Sequence, residues 1–178
     1  MYYSTTYKSP IGIITLGSDG ERLVGLWNEG QKYHGASISG EMFAKDDLVI
    51  FDKTKKWLDR YFAGDKPGIS ELPLAPNGTA FRQNVWHALC EIPYGDVVTY
   101  GDIALKLFAG NSGAQKYSRA VGGAVGHNPI SIIIPCHRVI GSDGSLTGYA
   151  GGVDKKTFLL ELEGVGDIPR IFTPPLFS

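Results

Sequence analysis

A stretch with two prolines and a glycine, residues 71–78 (ELPLAPNG), constrains the fold more than any other feature of the sequence. Such stretches interrupt helices and strands and are typical of segments between domains. The pattern of apolar residues also differs on its two sides. A chain of 178 residues has room for one ordinary domain or two small ones. We therefore predict an N-terminal domain over residues 1–76 and a C-terminal domain over residues 77–178.

The N-terminal part has the pattern of a small β-sheet followed by one helix. Residues 2–7, 11–16 and 23–27 are strand-like stretches separated by turn signals, and they predict a meander. From Asp46 onward, apolar residues recur at near-helical spacing until Gly64. The predicted N-terminal domain is therefore a small antiparallel sheet with one covering helix.

The C-terminal part is predicted to be mostly helical. Phe81, Val85 and Leu89 form a stripe with a spacing of four residues. This stripe predicts a helix over residues 80–91, with Thr79 as its N-cap.

Two further helices are predicted to form a helix-turn-helix. Thr99 and Asp102 resemble a capping box, which places a short helix at residues 100–108. The glycine-containing loop 110–113 separates it from a second helix over residues 115–125. The two parts together predict a mixed fold of the α/β (α+β) class.

The composition predicts a protein without a metal site or a membrane segment. Cys90 and Cys136 are the only cysteines, and with the four histidines they show none of the paired spacings of a zinc site. Both are predicted to be free thiols. The N-terminus lacks the pattern of a secretion signal, and no apolar stretch is long enough to span a bilayer. We therefore expect a cytoplasmic protein and, with no sign of an obligatory oligomer, a monomer.

The charge distribution is compatible with contact to nucleic acid. The net charge is −1, yet residues 103–142 contain four basic residues and no acidic one. A basic strip of this kind suits weak, salt-sensitive contact with phosphates, and an ordinary solvated surface is the alternative. The four residues are Lys106, Lys116, Arg119 and Arg138.

The second helix of the predicted helix-turn-helix is unusual because residues 120–124 (AVGGA) carry almost no side chains. Two consecutive glycines destabilise a helix by about 1 kcal/mol each. Either this helix packs closely against a neighbouring helix, or it approaches DNA through shape and backbone contacts, with Arg119 as its one long side chain. It lacks the polar side chains that read bases in the major groove.

The PCHR run at residues 135–138 is the strongest candidate for a chemical site. Residues 131–134 are predicted to form a short buried strand that ends immediately before it. A cysteine at the end of a rigid strand is well placed for chemistry, and an inert buried thiol is the alternative for Cys136. A histidine such as His137 is by itself more often structural than catalytic.

Motifs throughout the C-terminal half resemble the O6-alkylguanine-DNA alkyltransferase family. They occur in order and largely in register, whereas the N-terminal half resembles the family only in its general pattern. The run IPCHRVI at residues 134–140 is the most specific of them. The others are YG at residues 94–95, VVTY at 97–100, SRAVG at 118–122, NP at 128–129, GYAGG at 148–152 and EG at 163–164.

The resemblance implies that Cys136 accepts an alkyl group from O6 of guanine in DNA. It also implies that His137 takes the thiol proton through a water molecule and that Glu163 holds the imidazole in the required tautomer. Tyr100 would donate its phenol to a ring nitrogen of guanine. Each molecule would act once, because S-alkylcysteine has no route back to the thiol. No cofactor is implied, since the substrate brings the electrophile.

The resemblance further implies how the damaged base is reached. The partner is double-stranded DNA containing O6-alkylguanine, with O4-alkylthymine as a further candidate, and the base must leave the stack to reach the cysteine. Arg119, flanked by Ser118 and Ala120, would fill the space that the base leaves, and Asn128 would pin the turn before the cysteine. The resemblance also implies that the Val139 carbonyl lies near the exocyclic amine of guanine. The loop over the base would include Tyr149, Ala150 and Gly151.

The sequence departs from the family pattern at two places. Many members carry serine where this chain has Ala150, so the implied contact from this position is its backbone N–H near O6. The loop at residues 110–115 is longer than the family pattern, which changes the expected angle between the two helices.

Three other functions are compatible with parts of the sequence. A non-catalytic sensor of alkylated DNA with the same fold is disfavoured by the presence of Cys136. A cysteine hydrolase is disfavoured because its cysteine and histidine usually come from separate segments. A helix-turn-helix regulator that reads DNA sequence is disfavoured by the glycine-rich second helix.

Overall fold

The structure is a computed structural model that describes residues 1–146 and 148–166. The proline-containing tail from residue 167 onward lies outside the described residues, and so does the end of the predicted C-terminal domain. The chain divides into two compact units. The first comprises Met1–Gly78 together with Pro129–Ile133, and the second comprises Thr79–Asn128 and the chain from Ile134 onward.

The first unit contains a four-stranded sheet in the order β3-β2-β1-β4. Its first three strands form the predicted antiparallel meander, joined by tight turns: β1 (Tyr2–Ser9), β2 (Gly12–Ser18) and β3 (Leu23–Asn28). The short strand β4 (Met42–Ala44) was not predicted, and it pairs with β1 in parallel. Three residues are too few for a period of two to stand out in the sequence.

Helix α1 (Val49–Phe62) contacts β1 and β2 and covers the sheet, as predicted. Its buried stripe includes Phe51, Trp57 and Leu58. The helix begins after Leu48 rather than at the acidic pair Asp46-Asp47, because Asp46 does not cap it. The Asp46 carboxylate instead accepts a hydrogen bond from the Thr5 hydroxyl of β1.

The predicted strand over residues 131–134 is wrong. A single parallel bridge joins Leu26 and Ile130, with the Leu26 N–H donating to the Pro129 carbonyl and the Ser131 N–H donating to the Leu26 carbonyl. The chain then turns, and Ile132 has a φ of 72°. A β-branched residue rarely adopts this left-handed conformation, and it ends the extended backbone that a strand requires.

The second unit is mostly helical, as predicted. It contains α2 (Ala80–Cys90), α3 (Tyr100–Leu107), α4 (Ser118–Gly126) and α5 (Val153–Leu162). A small parallel sheet, β5 (Val98–Thr99) with β6 (Val139–Ile140), was not predicted. Within the two described ranges, no helix has the length and apolar character needed to cross a membrane.

The caps predicted for α2 and α3 are confirmed. The Thr79 hydroxyl accepts a hydrogen bond from the Arg82 N–H at 3.3 Å. Thr99 and Asp102 form a capping box, in which each side chain accepts a hydrogen bond from the other residue's backbone N–H. These side chains satisfy N–H groups that a helix start leaves unpaired, and they fix where α2 and α3 begin.

Helices α3 and α4 pack against each other as the helix-turn-helix. The helix predicted over residues 115–125 is in fact a 3₁₀ turn, Ala114–Tyr117, followed by α4 from Ser118. Trp86 of α2 donates its indole N–H to the Ala124 carbonyl of α4 at 2.9 Å. This bond holds the glycine-rich helix against the rest of the unit.

Replacing Thr79 with alanine is expected to lower the free energy of unfolding by about 1 kcal/mol, because α2 loses its N-cap. Thr79→Ser keeps the hydroxyl and is the matched control. Urea unfolding of the two variants measures the difference, and equal stability of both variants would show that the cap contributes nothing.

Candidate active site

Cys136 lies at the start of a 3₁₀ turn, Cys136–Arg138, that leads directly into β6. Its residue surface is only 5% exposed. Its backbone N–H donates to the Ile134 carbonyl at 2.8 Å, and the same carbonyl accepts a hydrogen bond from the Asn128 side-chain amide at 2.8 Å. Two bonds to one carbonyl hold the backbone immediately before the cysteine.

The next two residues of the turn, His137 and Arg138, both contact the carboxylate of Glu163. The His137 Nε2 atom lies 2.7 Å from Glu163 Oε1. Arg138 donates from Nε to Glu163 Oε2 at 2.8 Å and from Nη2 to Oε1 at 3.0 Å. The Gly95 N–H donates to Oε2 as well, at 3.2 Å. These four hydrogen bonds hold the Glu163 carboxylate at the C-cap position of α5.

Glu163 is ionised in this setting. Burial by itself would raise the pKa of the carboxyl, but hydrogen bonds and positive charge from His137 and Arg138 hold it well below its ordinary value. The Arg138 guanidinium is itself buried, with a bidentate geometry toward the carboxylate. A buried pair of this kind leaves a costly unpaired charge if either partner is removed.

His137 is fully buried, and burial lowers the pKa of its imidazole despite the attraction of Glu163. The positive charges of Arg138 and Lys156 lower it further. An ionised carboxylate can only accept, so the proton of the neutral ring lies on Nε2. Nδ1 then carries a lone pair that meets no hydrogen-bond partner among the described residues. The imidazole is therefore arranged as a base.

Tyr100, the first residue of α3, lies within the electrostatic influence of Cys136. The pKa of its phenol is raised by burial and also by negative charge on the Cys136 sulfur. Gly148 approaches this phenol so closely that a Cβ atom on Gly148 would lie 2.9 Å from the Tyr100 hydroxyl oxygen. The backbone of the loop at Gly148 therefore packs directly on the tyrosine.

A cleft of about 910 Å³ opens beside Tyr100 in the second unit. This volume is in the range of sites that enclose a small organic molecule. Of the predicted site residues, Tyr100, Ser118 and Arg119 line it, whereas Cys136 does not. The complete lining is Thr99, Tyr100, Gly101, Asp102, Leu105, Gln115, Ser118, Arg119, Gly122, Gly141, Ser142, Asp143 and Gly148.

The remaining predicted site residues differ in exposure. Tyr149 is buried, Ala150 and Gly151 are half-buried, and the exposed Ala120 does not line the cleft. The Val139 carbonyl accepts a hydrogen bond from the ammonium of Lys156 at 2.5 Å. The structure thus groups Cys136, His137 and Glu163 at one place and Tyr100, Ser118 and Arg119 along the cleft.

Two features of the site were not predicted: the buried Lys156 and the ion pair of Arg138 with Glu163. Lys156 is 1% exposed, and burial lowers its pKa to about 8 although negative charge on Cys136 opposes this. Lys156, Leu159, Leu160 and Glu163 are all buried, which is the i, i+3, i+4, i+7 spacing of a core-facing stripe. A lysine on this core-facing stripe is the signal in the sequence that points to Lys156.

Two of the four basic residues in the predicted strip are engaged within the protein. Lys106 forms an ion pair with Glu91, and Arg138 is buried against Glu163. Lys116 and Arg119 are exposed and have no acidic partner in the part of the chain that the structure describes. The basic strip therefore reduces to two exposed cations, Lys116 in the 3₁₀ turn before α4 and Arg119 in the first turn of α4.

The glycines of α4 are not required by packing against the described residues. A Cβ atom on Gly123 would meet no atom within 4 Å, and one on Gly122 would make an ordinary contact with the Tyr100 ring at 3.7 Å. Gly122 lines the cleft. Close packing against a neighbouring helix thus does not explain why this surface lacks side chains.

The arrangement around Cys136 is suited to nucleophilic chemistry. It brings together a thiol, a neutral imidazole with an available lone pair, and an ionised carboxylate that orients the imidazole. Cys90, the other cysteine, is half-buried, and burial raises the pKa of its thiol to about 11. No group of three potential metal ligands occurs within residues 1–146 and 148–166.

Two family profiles match the amino-acid sequence and together cover most of it. The profile described as "6-O-methylguanine DNA methyltransferase, ribonuclease-like domain" matches residues 1–76. The profile described as "6-O-methylguanine DNA methyltransferase, DNA binding domain" matches residues 80–165.

Individual relatives are similar over nearly their whole length. The methylated-DNA–protein-cysteine methyltransferase of Haemophilus influenzae is 45% identical, covering 94% of this chain and 89% of the relative. The protein of that name from Methanosarcina acetivorans is 46% identical, covering 92% and 99%. The crystal structure of Mycobacterium tuberculosis OGT in complex with DNA superposes with a TM-score of 0.78, at 42% identity and 91% coverage of both chains.

Proposed function

The chain belongs to the 6-O-methylguanine DNA methyltransferase family, and from this premise we propose that Cys136 is its alkyl acceptor. The protein is a DNA-repair enzyme that transfers an alkyl group from O6 of guanine in DNA to a cysteine. The observation that carries the assignment is the position of Cys136 directly before His137 and Arg138, which both contact Glu163.

In the proposed reaction, the Cys136 sulfur attacks the alkyl carbon from the side opposite O6. A sulfur–carbon bond forms as the bond from that carbon to O6 breaks, and the electron pair of the broken bond stays with guanine. The thiol proton passes to His137, which later releases it, and the guanine anion takes up one proton in turn, so the reaction is balanced. The products are S-alkylcysteine and unmodified guanine, so no oxidant, reductant or cofactor takes part.

His137 is the proposed base for the thiol, acting through a water molecule. Its neutral ring presents the Nδ1 lone pair, because Nε2 donates to Glu163. Only the thiolate is strongly nucleophilic, so the proton must leave before or during the attack. Glu163 is a positioning residue in this scheme, since it fixes the imidazole and stabilises the positive charge that the ring acquires.

Tyr100 is the proposed donor to guanine. Negative charge develops on the base as the bond at O6 breaks, and a phenol beside the ring stabilises it. The raised pKa of Tyr100 keeps its proton in place across the neutral range, so the residue acts as a donor. Its place in the lining of the cleft supports this role.

The cleft beside Tyr100 is the proposed entrance for a nucleotide rotated out of double-stranded DNA. Arg119 lines the cleft and is exposed, so we assign it the space vacated in the base stack. Ser118 and Ala120, on either side of Arg119 in the sequence, are proposed to lie against the DNA backbone. The surface of α4 near Gly123 has room for a close approach by DNA, since its glycines are not needed for packing.

Positioning of the extruded base is assigned to the residues around the cysteine. Asn128 holds the turn before Cys136 through the Ile134 carbonyl. The Val139 carbonyl is the proposed acceptor for the exocyclic amine of guanine, and Tyr149, Ala150 and Gly151 belong to the proposed loop over the base. We propose that one monomer carries out the whole reaction.

Transfer to Cys136 consumes the protein, so guanine should be restored in a fixed ratio to it. We expect nucleoside analysis of a duplex containing one O6-methylguanine to give one restored guanine per chain, at any excess of DNA. Repair of many bases per chain would contradict an irreversible acceptor. Binding of the damaged duplex without any restored guanine would instead identify a non-catalytic sensor.

Replacing Gly148 with alanine is expected to slow alkyl transfer by roughly tenfold to a hundredfold, through displacement of the Tyr100 phenol. Gly64 is the matched control, because its φ of 90° is close to the 94° of Gly148 while its Cβ position is open and it lies in the first unit. Both alanine variants should lose roughly 1–3 kcal/mol of stability from backbone strain. A comparison of the single-turnover rates of the two variants separates the effect of the contact with Tyr100 from the effect of backbone strain. Equal rates would contradict a role for the contact.

A further inference from the structure

A strained turn lies four residues before Cys136. The Ile133 N–H donates to the Ser131 carbonyl at 2.8 Å, and Ile132, between them, has a φ of 72°. A hydrogen bond across a single residue with this positive φ is the rarer, strained form of the γ-turn. A β-branched residue such as isoleucine seldom adopts it. Strained backbone of this kind persists only where surrounding contacts fix it, and it is concentrated at functional sites.

Hydrogen bonds within the first unit fix the start of this turn. The Ser131 N–H donates to the Leu26 carbonyl of β3 at 3.0 Å. The Ser131 hydroxyl donates to Gln31 Oε1 at 3.1 Å, across a separation of 100 residues in the sequence. Ser131 and Ile132 are each 1% exposed, so water has little access to either bond. The turn is therefore held by the backbone of one residue and by the side chain of another.

Gln31 is itself fixed by Asn28, the last residue of β3. The Gln31 Oε1 atom accepts hydrogen bonds from the Asn28 backbone N–H at 3.0 Å and from the Asn28 side-chain amide at 3.2 Å. The Gln31 N–H donates to the Asn28 carbonyl at 3.0 Å. Both side chains are buried, where polar groups are costly unless they are hydrogen-bonded. Gln31 therefore presents a preordered acceptor to Ser131.

The turn at Ile132 leads to Cys136 through a second γ-turn. Pro135 has a φ of −81° and a ψ of 64°, and the Cys136 N–H donates to the Ile134 carbonyl. These angles are those of the common, inverse form of the γ-turn. The proline ring also fixes its own φ. Two consecutive tight turns leave the backbone little freedom, so the position of Ser131 constrains where the cysteine sulfur lies.

We propose that Gln31 is a positioning residue for alkyl transfer, because its hydrogen bond to Ser131 holds the strained turn from which the chain continues to Cys136. This inference rests on the proposed function, since it concerns the reaction of that cysteine. The attack needs the sulfur, the alkyl carbon and O6 in one line, and a displacement of about 1 Å can slow such a reaction about a hundredfold. In this role Gln31 acts through the backbone and not by contact with the substrate.

The test is the single-turnover rate of transfer to Cys136 on the full chain, measured over a range of concentrations of a duplex containing one O6-methylguanine. Ser131→Ala removes one hydroxyl and should lower the rate at saturating DNA about tenfold, with the half-saturating DNA concentration unchanged. Gln31→Met removes the acceptor at nearly constant side-chain length and should lower the saturating rate at least as much. Because the two residues act through one hydrogen bond, Ser131→Ala should cause no further loss in the Gln31→Met chain.

Thr54→Val is the matched control. Thr54 is also fully buried in the first unit, and its hydroxyl donates to the Ile50 carbonyl within α1 at 2.7 Å. The variant removes a buried hydroxyl from the same unit without touching the turn. It should lose stability in urea unfolding but keep the original rate at a temperature where all the variants are folded. A merely structural role of Gln31 would leave the saturating rates of all the folded variants unchanged.

An original rate in Ser131→Ala, losses that multiply in the double variant, or equal slowing in Thr54→Val would overturn the proposal. Methylation of Cys136 in the original chain tests the proposed function separately. If the original chain leaves Cys136 unmodified, the proposed function itself fails. If the original chain is methylated at Cys136 and the variants keep its rate, only the role of Gln31 fails.

Discussion

Serine in place of Cys136 is expected to abolish alkyl transfer while leaving DNA binding intact. The two side chains are similar in size, so the 3₁₀ turn and its contacts should persist. The serine hydroxyl ionises far less readily than a thiol, and the His137 base cannot make it a comparable nucleophile toward an alkyl carbon. The measurement is the fraction of O6-methylguanine converted to guanine at excess protein, beside anisotropy with the same duplex.

Cys90→Ser is the control for this prediction. Cys90 ends α2, and its thiol stays protonated at neutral pH because burial raises its pKa to about 11. Its replacement should leave transfer at the rate of the original chain. Residual transfer by Cys136→Ser, or complete loss in Cys90→Ser, would show that the acceptor has been assigned to the wrong residue.

Glutamine in place of Glu163 is expected to lower both stability and rate. The change keeps the shape of the side chain but leaves the buried Arg138 guanidinium without its counter-charge, which typically costs about 3–5 kcal/mol. His137 also loses the carboxylate that fixes its tautomer. A misoriented base should slow transfer by roughly 10²- to 10⁴-fold. Urea unfolding and single-turnover kinetics measure the two effects.

Glu161→Gln is the matched control, because Glu161 is exposed on the same helix two residues earlier. It should change neither stability nor rate appreciably. An unchanged rate in Glu163→Gln at a temperature where the variant is folded would contradict the positioning role, whatever the effect on stability.

The Glu163 substitution should also change how stability depends on pH. The folded-state pKa of Glu163 lies below its ordinary value of 4.5, so its contribution is fully present above that pH. The contribution is lost as the pH falls toward the folded-state pKa. The stability gap between the original chain and Glu163→Gln should therefore narrow below pH 4.5. A gap that stays constant down to pH 3 would contradict a depressed pKa.

Much of the fold could be predicted because local signals and burial agree. The three strands of the meander are separated by turn signals in the sequence. Helices α2 and α3 begin at the predicted caps, Thr79 and Thr99. These features depend on residues close in sequence. The same reasoning failed at residues 131–134, where a run of isoleucines has the composition of a strand. Its conformation is set by hydrogen bonds to Leu26, more than a hundred residues earlier.

The reacting residues could be proposed from sequence, but the electrostatics that support them could not. The residues Cys136 and His137 are adjacent in one specific motif. Gly95 and Arg138 meet Glu163 only after folding, and Lys156 reaches Val139 from another helix. The sequence alone also could not show which of the basic residues form ion pairs within the protein. Lys106 and Arg138 belonged to the same basic strip as Lys116, yet both have acidic partners.

The most direct test of the account is the intact mass of the protein after incubation with a duplex containing one O6-methylguanine, followed by peptide mapping. The mass of one methyl group should be gained once per chain, and the modified peptide should contain Cys136 rather than Cys90. A methyl group on any other residue, or no gain in mass while O6-methylguanine disappears from the DNA, would contradict the assignment of Cys136 as the alkyl acceptor.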